Sequence, residues 1–570
     1  MALHAILLLL AGPGRCPQEA VPPSLHYRVS YAGTERDSDW HVRVEGRGLA
    51  YGGGPLFLHL EDWGEWTEVD SYHLRNLTCD PPLRRHEGSR CDWLLDPPAD
   101  WDGSLALQYD IATVELGSPV RGSHGLVPYR APTYCFGFST NTLITADRAG
   151  WDTKPRLTFR IEAPPDWTIA SGLGGVAVGV LEGQFPAEYD NGVISMGRPV
   201  AQDAERSAVA LIEVVQWGGG ESVVPSVLDF ARVFVNECAR TSGRPPRQPI
   251  RLLITEPGFG GTRTDGSIAI GCPELGQGAM GPGTLHFVAH ELFHDWLGGQ
   301  LRGEGERLAW FWEGFTDYLS LWHLARAGMV SHEWFAQRLL DYDRSLADNA
   351  HRGSAAYADP AVNWRDPEIE PLAYQGSALL AFSLDVALRR AGREGLMEMM
   401  RALLARPGGR YDLEALRSWL VDNGQAEFWE RRFAVAATPD LAADLEFAGF
   451  EHKSVETTLT YLGIQLEGEG PFGRILAVDP QGPAAACGVR ADDVVSGCWP
   501  VHQPPTVLGP EVSTPYRFGL GLYQTDAKAC NLGVRRGEQE LEFAIPPRLI
   551  PGGRRSSWAP RADRIERFFQ

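Results

Sequence analysis

The sequence predicts a multidomain α+β protein: an N-terminal antiparallel β-sandwich over residues 25–200, a mainly helical domain over 205–445 and a small β domain over 450–548. The chain of 570 residues is too long for a single fold of about 150 residues. The periodicity of its apolar residues also changes twice, from strand-like to helical and back. Length and periodicity together predict the three domains.

The N-terminal region is typical of an antiparallel sheet. Short runs that alternate apolar and polar residues, among them His26–Tyr31, Trp40–Val44 and Arg156–Ile161, are separated by Pro, Gly and Asp. The middle of the chain instead shows helical periodicity, with a helix expected over Val223–Ala239 and a strand over Ile250–Ile254. Four further helices are predicted there: Leu308–Ala327, Trp334–Leu346, Gly376–Arg390 and Leu413–Val421.

The charge and the chain ends restrict partners and location. A formal net charge of −21 argues against nucleic acid or an anionic membrane as the main partner. The longest aliphatic run, Ala5–Ala11, is far shorter than the ~20 residues of a membrane-spanning helix. Residues 1–20 resemble a secretory leader, so periplasmic or secreted location is expected, with the cytoplasm left open. The arginine-rich tail 549–570 is expected to be solvated or to dock.

The sequence His290-Glu291-Leu292-Phe293-His294 indicates a zinc site. Residues four apart share one helical face, so both imidazoles can reach one metal while Glu291 holds a water. The helix is expected to start near Gly281–Thr284 and to end at Gly298-Gly299.

A second predicted helix supplies the third ligand. Glu313 follows His294 after eighteen residues (295–312), and a short loop with an antiparallel return brings it to the metal. Two histidines, one carboxylate and a water form a catalytic zinc site with one open position. Asp317, one turn further on, is expected to accept the second ring N–H of a ligand histidine.

These motifs resemble the gluzincin metallopeptidases, which include thermolysin and aminopeptidase N. The sequence His-Glu-Leu-Phe-His, followed by Trp312–Tyr318, resembles the glycyl aminopeptidase family more closely than it resembles thermolysin or aminopeptidase N. The resemblance implies a thermolysin-like, mainly helical zinc peptidase domain between an N-terminal β domain and a C-terminal PDZ domain. It also implies a catalytic tyrosine at the start of a later helix, and Tyr374 fits. Glu291 would then be the general base and Tyr374 a stabiliser of the developing oxyanion.

The family pattern breaks on the strand before the zinc helix. The family form Gly-Gly-aliphatic-Glu-His binds the substrate's free amine, and here Gly260 and Gly261 are followed by Arg263 at the glutamate position. A guanidinium repels an ammonium and attracts carboxylates. Either Glu256 or Asp265 takes over amine binding, or the enzyme prefers blocked or acidic substrates. A misalignment of one or two residues in this glycine-rich loop is the alternative.

The C-terminal β domain resembles a PDZ domain. Tyr461, Leu462, Gly463 and Ile464 match its carboxylate-binding loop, which binds a peptide C-terminus as an added strand. The groove is expected to take substrate, another protein or the chain's own end, Phe568–Gln570, or to be only a structural lid. The sequence thus predicts a zinc peptidase of peptide or protein substrates that acts as an aminopeptidase. The alternatives are an endopeptidase or a peptidase for blocked or acidic substrates, and a non-catalytic PDZ peptide-binding protein.

Overall fold

The structure, a computed structural model, describes most of the chain. The described residues are 22–33, 39–50, 55–60, 74–87, 92–115, 128–148, 155–185, 191–247, 249–255, 260–264, 266–271, 275, 280–303, 308–347, 349–359, 361–364, 366, 368–435, 439–461, 463–466, 474–500, 530–537, 539–546 and 548–570. The chain divides into two compact units, Met1–Ala279 with Phe287–Gln300 and Met280–His286 with Leu301–Gln570. The predicted leader, residues 1–20, lies outside the described residues and stays a prediction.

The first unit is rich in strands. They are β1 Ser24–Tyr31, β2 Trp40–Arg47, β3 Leu56–His59, β4 Leu74–Asp80, β5 Leu83–Arg85, β6 Asp92–Leu95, β7 Leu105–Ile111, β8 Val114–Glu115, β9 Tyr129–Ala131, β10 Tyr134–Phe138, β11 Thr145–Arg148, β12 Arg156–Glu162, β13 Thr168–Ser171, β14 Gly175–Val178, β15 Val180–Gln184, β16 Val193–Gly197, β17 Ala201–Arg206, β18 Leu211–Gln216, β19 Ile250–Thr255, β20 Gly260–Thr264 and β21 Ser267–Gly271. Helix α1, Val224–Ser242, follows β18 and precedes β19 in the chain.

The predicted N-terminal strands are confirmed, because the three runs named from the sequence fall in β1, β2 and β12. The described strands before β17 form two six-stranded sheets, ordered β15-β12-β1-β2-β7-β4 and β14-β13-β16-β10-β9-β8, and a four-stranded sheet. β1 pairs antiparallel with β2 but parallel with β12, so the first sheet is mixed rather than purely antiparallel. Alternate residues of β1, β2 and β7 are buried in one apolar core. The sandwich arrangement stays a prediction.

A five-stranded sheet positions part of the site. Its order is β17-β18-β19-β21-β20, and all six residues of β19 are buried. A strand whose residues are all buried is typical of a sheet covered on both faces. β20 pairs antiparallel with β21 and is the last strand of the described sheet. Gly261 and Arg263 therefore lie on an edge strand.

The helices after α1 are α2 Pro282–Phe293, α3 Ala309–Arg326, α4 His332–Ser345, α5 Ser377–Arg390, α6 Leu396–Leu404, α7 Leu413–Asp422, α8 Ala426–Phe428, α9 Leu441–Phe447, α10 Pro483–Ala486 and α11 Ala562–Phe569, with β22 Arg302–Gly303 and β23 Arg410–Tyr411 between them. The helices predicted from periodicity correspond to α3, α4, α5 and α7, and the motif helix corresponds to α2, whereas the other five were not predicted. Wider π-helical turns span Leu372–Gly376, directly before α5, and Trp429–Ala434. None of the described helices is long and apolar enough to cross a membrane.

The C-terminal strands are β24 Phe450–Tyr461, β25 Ile464–Leu466, β26 Ile475–Val478, β27 Val494–Pro500, β28 Cys530–Arg536, β29 Gln539–Ile545 and β30 Arg548–Pro560. β24 and β30 pair antiparallel along their length, from Phe450↔Pro560 to Tyr461↔Arg548. The strands between them share their own small apolar core. The Arg-rich tail is therefore not a solvated segment: it forms β30 and α11, and α11 buries Phe568 and Phe569.

The aromatic side chains at the C-terminus, Phe568 and Phe569, pack among helices. Phe569 packs edge-on against Phe335 of α4 and stacks on His332, and Phe568 contacts Phe382 of α5. The expectation that the chain's own end fills the PDZ-like groove is wrong for these residues. Packing of the two rings among helices is favourable, because a buried aromatic side chain removes about 150–250 Å² from water.

Candidate metal centre

Helix α2 presents the metal-binding motif in buried surroundings. Pro282 opens the helix, where its missing N–H costs nothing. His290, Glu291 and His294 are 8%, 6% and 8% exposed. The regular helix ends at Phe293 rather than at the predicted Gly298-Gly299, although the N–H of His294 still donates to the carbonyl of His290. The final histidine ligand therefore lies on the turn that closes the helix.

Three predicted ligands come together in the structure. The ligand atoms of His290, His294 and Glu313 all lie within 4.8 Å of one another. The two histidine Nε2 atoms are 3.0 Å apart. Nδ1 of His294 lies 3.0 Å from the main-chain oxygen of Leu297, which can only accept, so this nitrogen donates and Nε2 faces the cluster.

The donor set fits zinc. Two imidazoles and one carboxylate are the ligands of catalytic zinc sites, which keep a fourth position open. The hydrogen bond from His294 Nδ1 orients the ring, as ligand histidines usually require. Glu313 is also oriented, because the indole N–H of Trp312 donates to its Oε1 at 3.1 Å. Trp312 begins the second stretch that resembles the family, but sequence reasoning gave it no role in orienting the ligand.

The Glu291 carboxylate packs directly against strand β20. A Cβ added at Gly261 would lie 2.4 Å from Cγ, Cδ and Oε1 of Glu291. Real Cβ atoms do not approach this closely, so only glycine fits at this point of the strand. The structure thus brings together the predicted general base and one of the predicted substrate-binding residues. At the neighbouring Gly260, whose φ is +89°, an added Cβ would meet no atom of the described residues within 4 Å.

Arg263 pairs with a carboxylate beside the zinc motif. Its Nη2 lies 3.4 Å from Oδ1 of Asp295, and both side chains are mostly buried. A Cβ at Gly299 would lie 2.5 Å from the same Nη2, so the guanidinium fills the turn after α2. Asp295 also accepts from the main-chain N–H of Arg247. The two alternative amine-binding residues, Glu256 and Asp265, lie outside the described residues.

Asp317 contacts a histidine that the motif does not include. Nε2 of His286 lies 3.5 Å from Oδ1 of Asp317 and 3.0 Å from its main-chain oxygen. His286 precedes His290 by four residues, so the spacing His286, His290, His294 was a visible signal that sequence reasoning missed. The predicted contact of Asp317 with a ligand histidine stays a prediction.

Tyr374 lies in the π-helical turn before α5 and is 37% exposed. This turn is held against α3: the hydroxyl of Ser377 donates to the main-chain oxygen of Trp310 at 2.6 Å. A Cβ at Gly314 would lie 1.8 Å from the same hydroxyl oxygen. The start of α5 therefore touches α3 at the residue that follows Glu313, and Tyr374 is one turn from this contact.

Tyr411 is a second residue that sequence reasoning missed. Its side chain is 1% exposed, and its hydroxyl has no hydrogen-bond partner among the described residues. Burial raises the pKa of this phenol, and the Glu313 carboxylate raises it further. A buried orphan hydroxyl next to a ligand carboxylate is consistent with a polar site that is completed by a bound group. No sequence motif marked this residue.

The predicted carboxylate loop of the C-terminal module is described only in part. Gly463 has a φ of +79°, and its carbonyl accepts from the N–H of Asp479 at 2.8 Å. Ile464 opens β25 and is buried in the small core. Tyr461 is the last residue of β24, and Leu462 lies outside the described residues.

Comparisons with known proteins agree with this site. Residues 283–366, which hold the metal-binding motif and Glu313, match the family model of the M61 glycyl aminopeptidases. A structure of an aminopeptidase N family protein from Idiomarina loihiensis is 15% identical, with a TM-score of 0.67 over 96% of this chain and all of that one. No curated protein sequence gives a significant match.

Two other solved structures are more distant. An M1 zinc metallopeptidase from Deinococcus radiodurans, bound to Tyr-Ser-Ala, is 16% identical, with a TM-score of 0.48 over 74% of this chain and 94% of that one. Yeast LTA4 hydrolase in complex with bestatin is 14% identical, with a TM-score of 0.48 over 75% of this chain and 71% of that one.

The motif, the cluster and the family match define a class: the chain is a hydrolase, a metallopeptidase with a mixed α+β fold. More particularly, its resemblance to the glycyl aminopeptidases among the gluzincins is confirmed in the segment that bears the metal-binding motif.

Proposed function

We propose that this protein is a zinc-dependent peptidase that hydrolyses peptide bonds and acts as an aminopeptidase. The observation that carries the proposal is the meeting of His290, His294 and Glu313 within 4.8 Å. These three residues would hold zinc, which when bound supplies a Lewis acid for the scissile carbonyl and acidifies a water. The remaining chemistry belongs to the side chains around the cluster.

Glu291 is proposed as the general base. It follows a ligand histidine directly, it is buried, and Gly261 fixes the position of its carboxylate. A carboxylate so held can take a proton from the attacking water and pass it to the leaving amine. Burial also excludes bulk water, which strengthens its interaction with a charged transition state.

Tyr374 is proposed to stabilise the oxyanion. Its phenol stands on the turn that contacts α3 beside Glu313, and its partial exposure leaves it accessible to a substrate. A hydroxyl aimed at the developing negative charge stabilises the transition state more than the ground state. Such a donor contributes about 10²–10³-fold to kcat in other enzymes.

Strand β20 is proposed to bind the substrate main chain. It is the edge of the described five-stranded sheet, and a Cβ added at Gly260 would meet no described atom within 4 Å, which leaves room for a peptide to approach. Addition of an extended peptide to a sheet edge is a common recognition mode. Such a peptide would pass directly in front of Glu291.

Arg263 favours a second candidate, a peptidase for blocked or acidic substrates. It occupies the position of the amine-binding glutamate and brings a positive charge in its place. The Asp295 carboxylate at 3.4 Å compensates part of this charge, which weakens the repulsion of a free amine. Peptides with free and N-acetylated termini separate the candidates: faster cleavage of the free peptides supports an aminopeptidase, and equal or faster cleavage of the blocked ones supports the alternative.

The C-terminal module is proposed to be PDZ-like and to bind peptide C-termini. The positive φ of Gly463 and the short strand β25 directly after it support this proposal. Among the described residues, β25 pairs only with β26, so a peptide has an edge to which it can add. Fluorescence polarisation with a C-terminal peptide and its amidated form tests it, since an intact groove should prefer the free carboxylate.

Metal analysis and Glu291→Gln test the proposed function. The purified parent should contain one zinc per chain. Glu291→Gln should keep the zinc, but its peptidase activity should be about 10²–10⁴-fold lower. Glu414→Gln, an exposed carboxylate on α7, is the control and should behave as the parent. A zinc-free parent that zinc does not activate, or full activity in Glu291→Gln, would refute the proposal.

A further inference from the structure

His286 lies on the same helical face as the two proposed zinc ligands of α2. It precedes His290 by four residues, as Glu313 precedes Asp317 by four on α3. Four residues advance a helix by about 6 Å, so these steps are equal on the two helices. The two contacts, His286 with Asp317 and His290 with Glu313, are therefore separated by the same distance along both helices.

The contact of His286 reaches the main chain of α3. The ring is 2% exposed, and its Nε2 lies 3.0 Å from the carbonyl oxygen of Asp317. A carbonyl oxygen only accepts, so Nε2 donates. The same oxygen also accepts from the hydroxyl of Ser320 at 2.9 Å. Because the acceptor belongs to the main chain, this bond fixes the helix itself and not only a rotatable side chain.

Helix α4 encloses this pair from the other side. The phenol of Tyr342 hydrogen-bonds the Asp317 carboxylate, and burial and Asp317 raise the pKa of that phenol. Arg338 is close enough to Asp317 for an electrostatic attraction. The ring of Trp334 meets the His286 ring at 5.9 Å in an edge contact. His286 is thus part of a buried polar network and is not an ordinary apolar core residue.

We propose that His286 is a positioning residue for the metal centre: its bond to Asp317 sets the register of α3 so that Glu313 meets His290 and His294. This inference rests on the proposed function, because it assumes that the cluster binds zinc. Residues that orient metal ligands typically change metal affinity by about 10–100-fold when they are replaced. The chemistry predicts that the donor at the Nε2 position matters, while the imidazole as such does not.

The test compares His286→Phe, which fills the space without a donor, with His286→Gln, whose amide donates from nearly the same place. Zinc affinity is measured by competition with a chromophoric chelator, and the visible absorption of the cobalt-substituted protein reports the ligand geometry. His286→Phe should bind zinc about 10-fold or more weakly and alter the cobalt spectrum, and His286→Gln should stay close to the parent.

His323→Phe is the matched control. His323 is also fully buried, and its Nδ1 lies near the carbonyl of Leu319, on α3 but ten residues beyond Glu313. It should change stability without a change in zinc affinity. If the parent binds zinc and His286→Phe binds it equally well, this inference alone is overturned. If the phenylalanine variants at 286 and 323 weaken zinc binding alike, or the glutamine variant is as weak as His286→Phe, the effect is general to the core and the inference also fails. A parent without zinc overturns it together with the proposed function.

Discussion

At the scale of single residues, the position of the Glu291 carboxylate depends on the absence of a side chain at Gly261. Gly261 has no Cβ, and an added one would overlap three atoms of the glutamate. These three contacts, each of 2.4 Å, cannot be relieved without moving the carboxylate or the strand. The glycine therefore acts on the chemistry without any chemical group of its own.

Gly261→Ala should reduce kcat by about 10² or more, because a displaced general base loses its alignment with the attacking water. Zinc content should not change, since Gly261 is not a ligand. Gly283→Ala is the control: an added Cβ there meets no described atom within 4 Å, and alanine suits a helix. Steady-state kinetics and metal analysis of both variants check this, and a Gly261→Ala enzyme as active as the control would contradict it.

Tyr411→Phe should leave the free energy of unfolding unchanged or raise it by about 1 kcal/mol, because its buried hydroxyl has no hydrogen-bond partner in the part of the chain that the structure describes, and such a hydroxyl costs stability. Tyr318→Phe is the matched comparison: its buried hydroxyl donates to Asp385 at 2.7 Å. Loss of that bond to a charged group should cost about 1.5–3 kcal/mol. Urea unfolding of the zinc-free proteins measures both. Equal destabilisation would mean that the Tyr411 hydroxyl has a partner of its own.

At the scale of elements, α11 joins the helical core through a histidine. The rings of His332 and Phe569 stack at 4.6 Å, and burial lowers the pKa of His332 below its ordinary value of 6.5. Glu333 and Glu566 oppose this effect but do not reverse it. The docked helix therefore prefers the neutral imidazole.

Acid should weaken this docking. Above pH 6.5 the histidine is neutral in both the folded and the unfolded state, so its full contribution is present. As the pH falls below 6.5, the unfolded state binds the proton more readily, and stability is lost until the folded pKa is passed. The melting temperature of the parent should fall more steeply between pH 7 and 5 than that of His332→Gln. Parallel curves for the two proteins would show that His332 does not contribute.

Helices with a clear periodicity were predictable from the sequence, and special turns were not. The predicted Leu308–Ala327 and Gly376–Arg390 differ from α3 and α5 by one residue at most at each end. The end of α2 was wrong by five residues, because after Phe293 the chain passes into tighter turns in which the N–H groups of Asp295 and Trp296 donate to carbonyls three residues back. The π-helical turn at Tyr374 was not predicted, and the contact of the following Ser377 with Gly314 of another helix is not visible in the local sequence.

The metal ligands were accessible to sequence reasoning because their chemistry fixes their spacing. His290, His294 and Glu313 meet as that spacing predicted. The pairing of Arg263 with Asp295 depends on which strand lies beside the end of α2, and no single sequence states that. The same holds for Tyr411, whose neighbour in space is about a hundred residues away in sequence.

At the scale of the whole molecule, the net charge of −21 should influence which peptides arrive. Acidic peptides are repelled and basic ones attracted over distances that salt shortens, with a Debye length of about 10 Å at 0.1 M. Raising the ionic strength from low to moderate should therefore increase kcat/KM several-fold for an acidic peptide and decrease it for its lysine-containing counterpart. The corresponding peptide without charged side chains is the control. An acidic peptide that is cleaved more slowly in salt would mean that a local cation, such as Arg263, outweighs the overall charge.

The β24–β30 ribbon makes the small C-terminal module an insertion and not an appendage. The chain leaves the ribbon at Tyr461 and returns at Arg548, its pairing partner. A truncation before residue 548 would thus remove β30 and α11 as well and uncover Phe335 and Phe382. Replacing residues 463–546 by a short turn would instead join two strands that already lie side by side. An internal deletion of the module, and not a C-terminal truncation, is therefore the variant that shows what the peptidase does without this module.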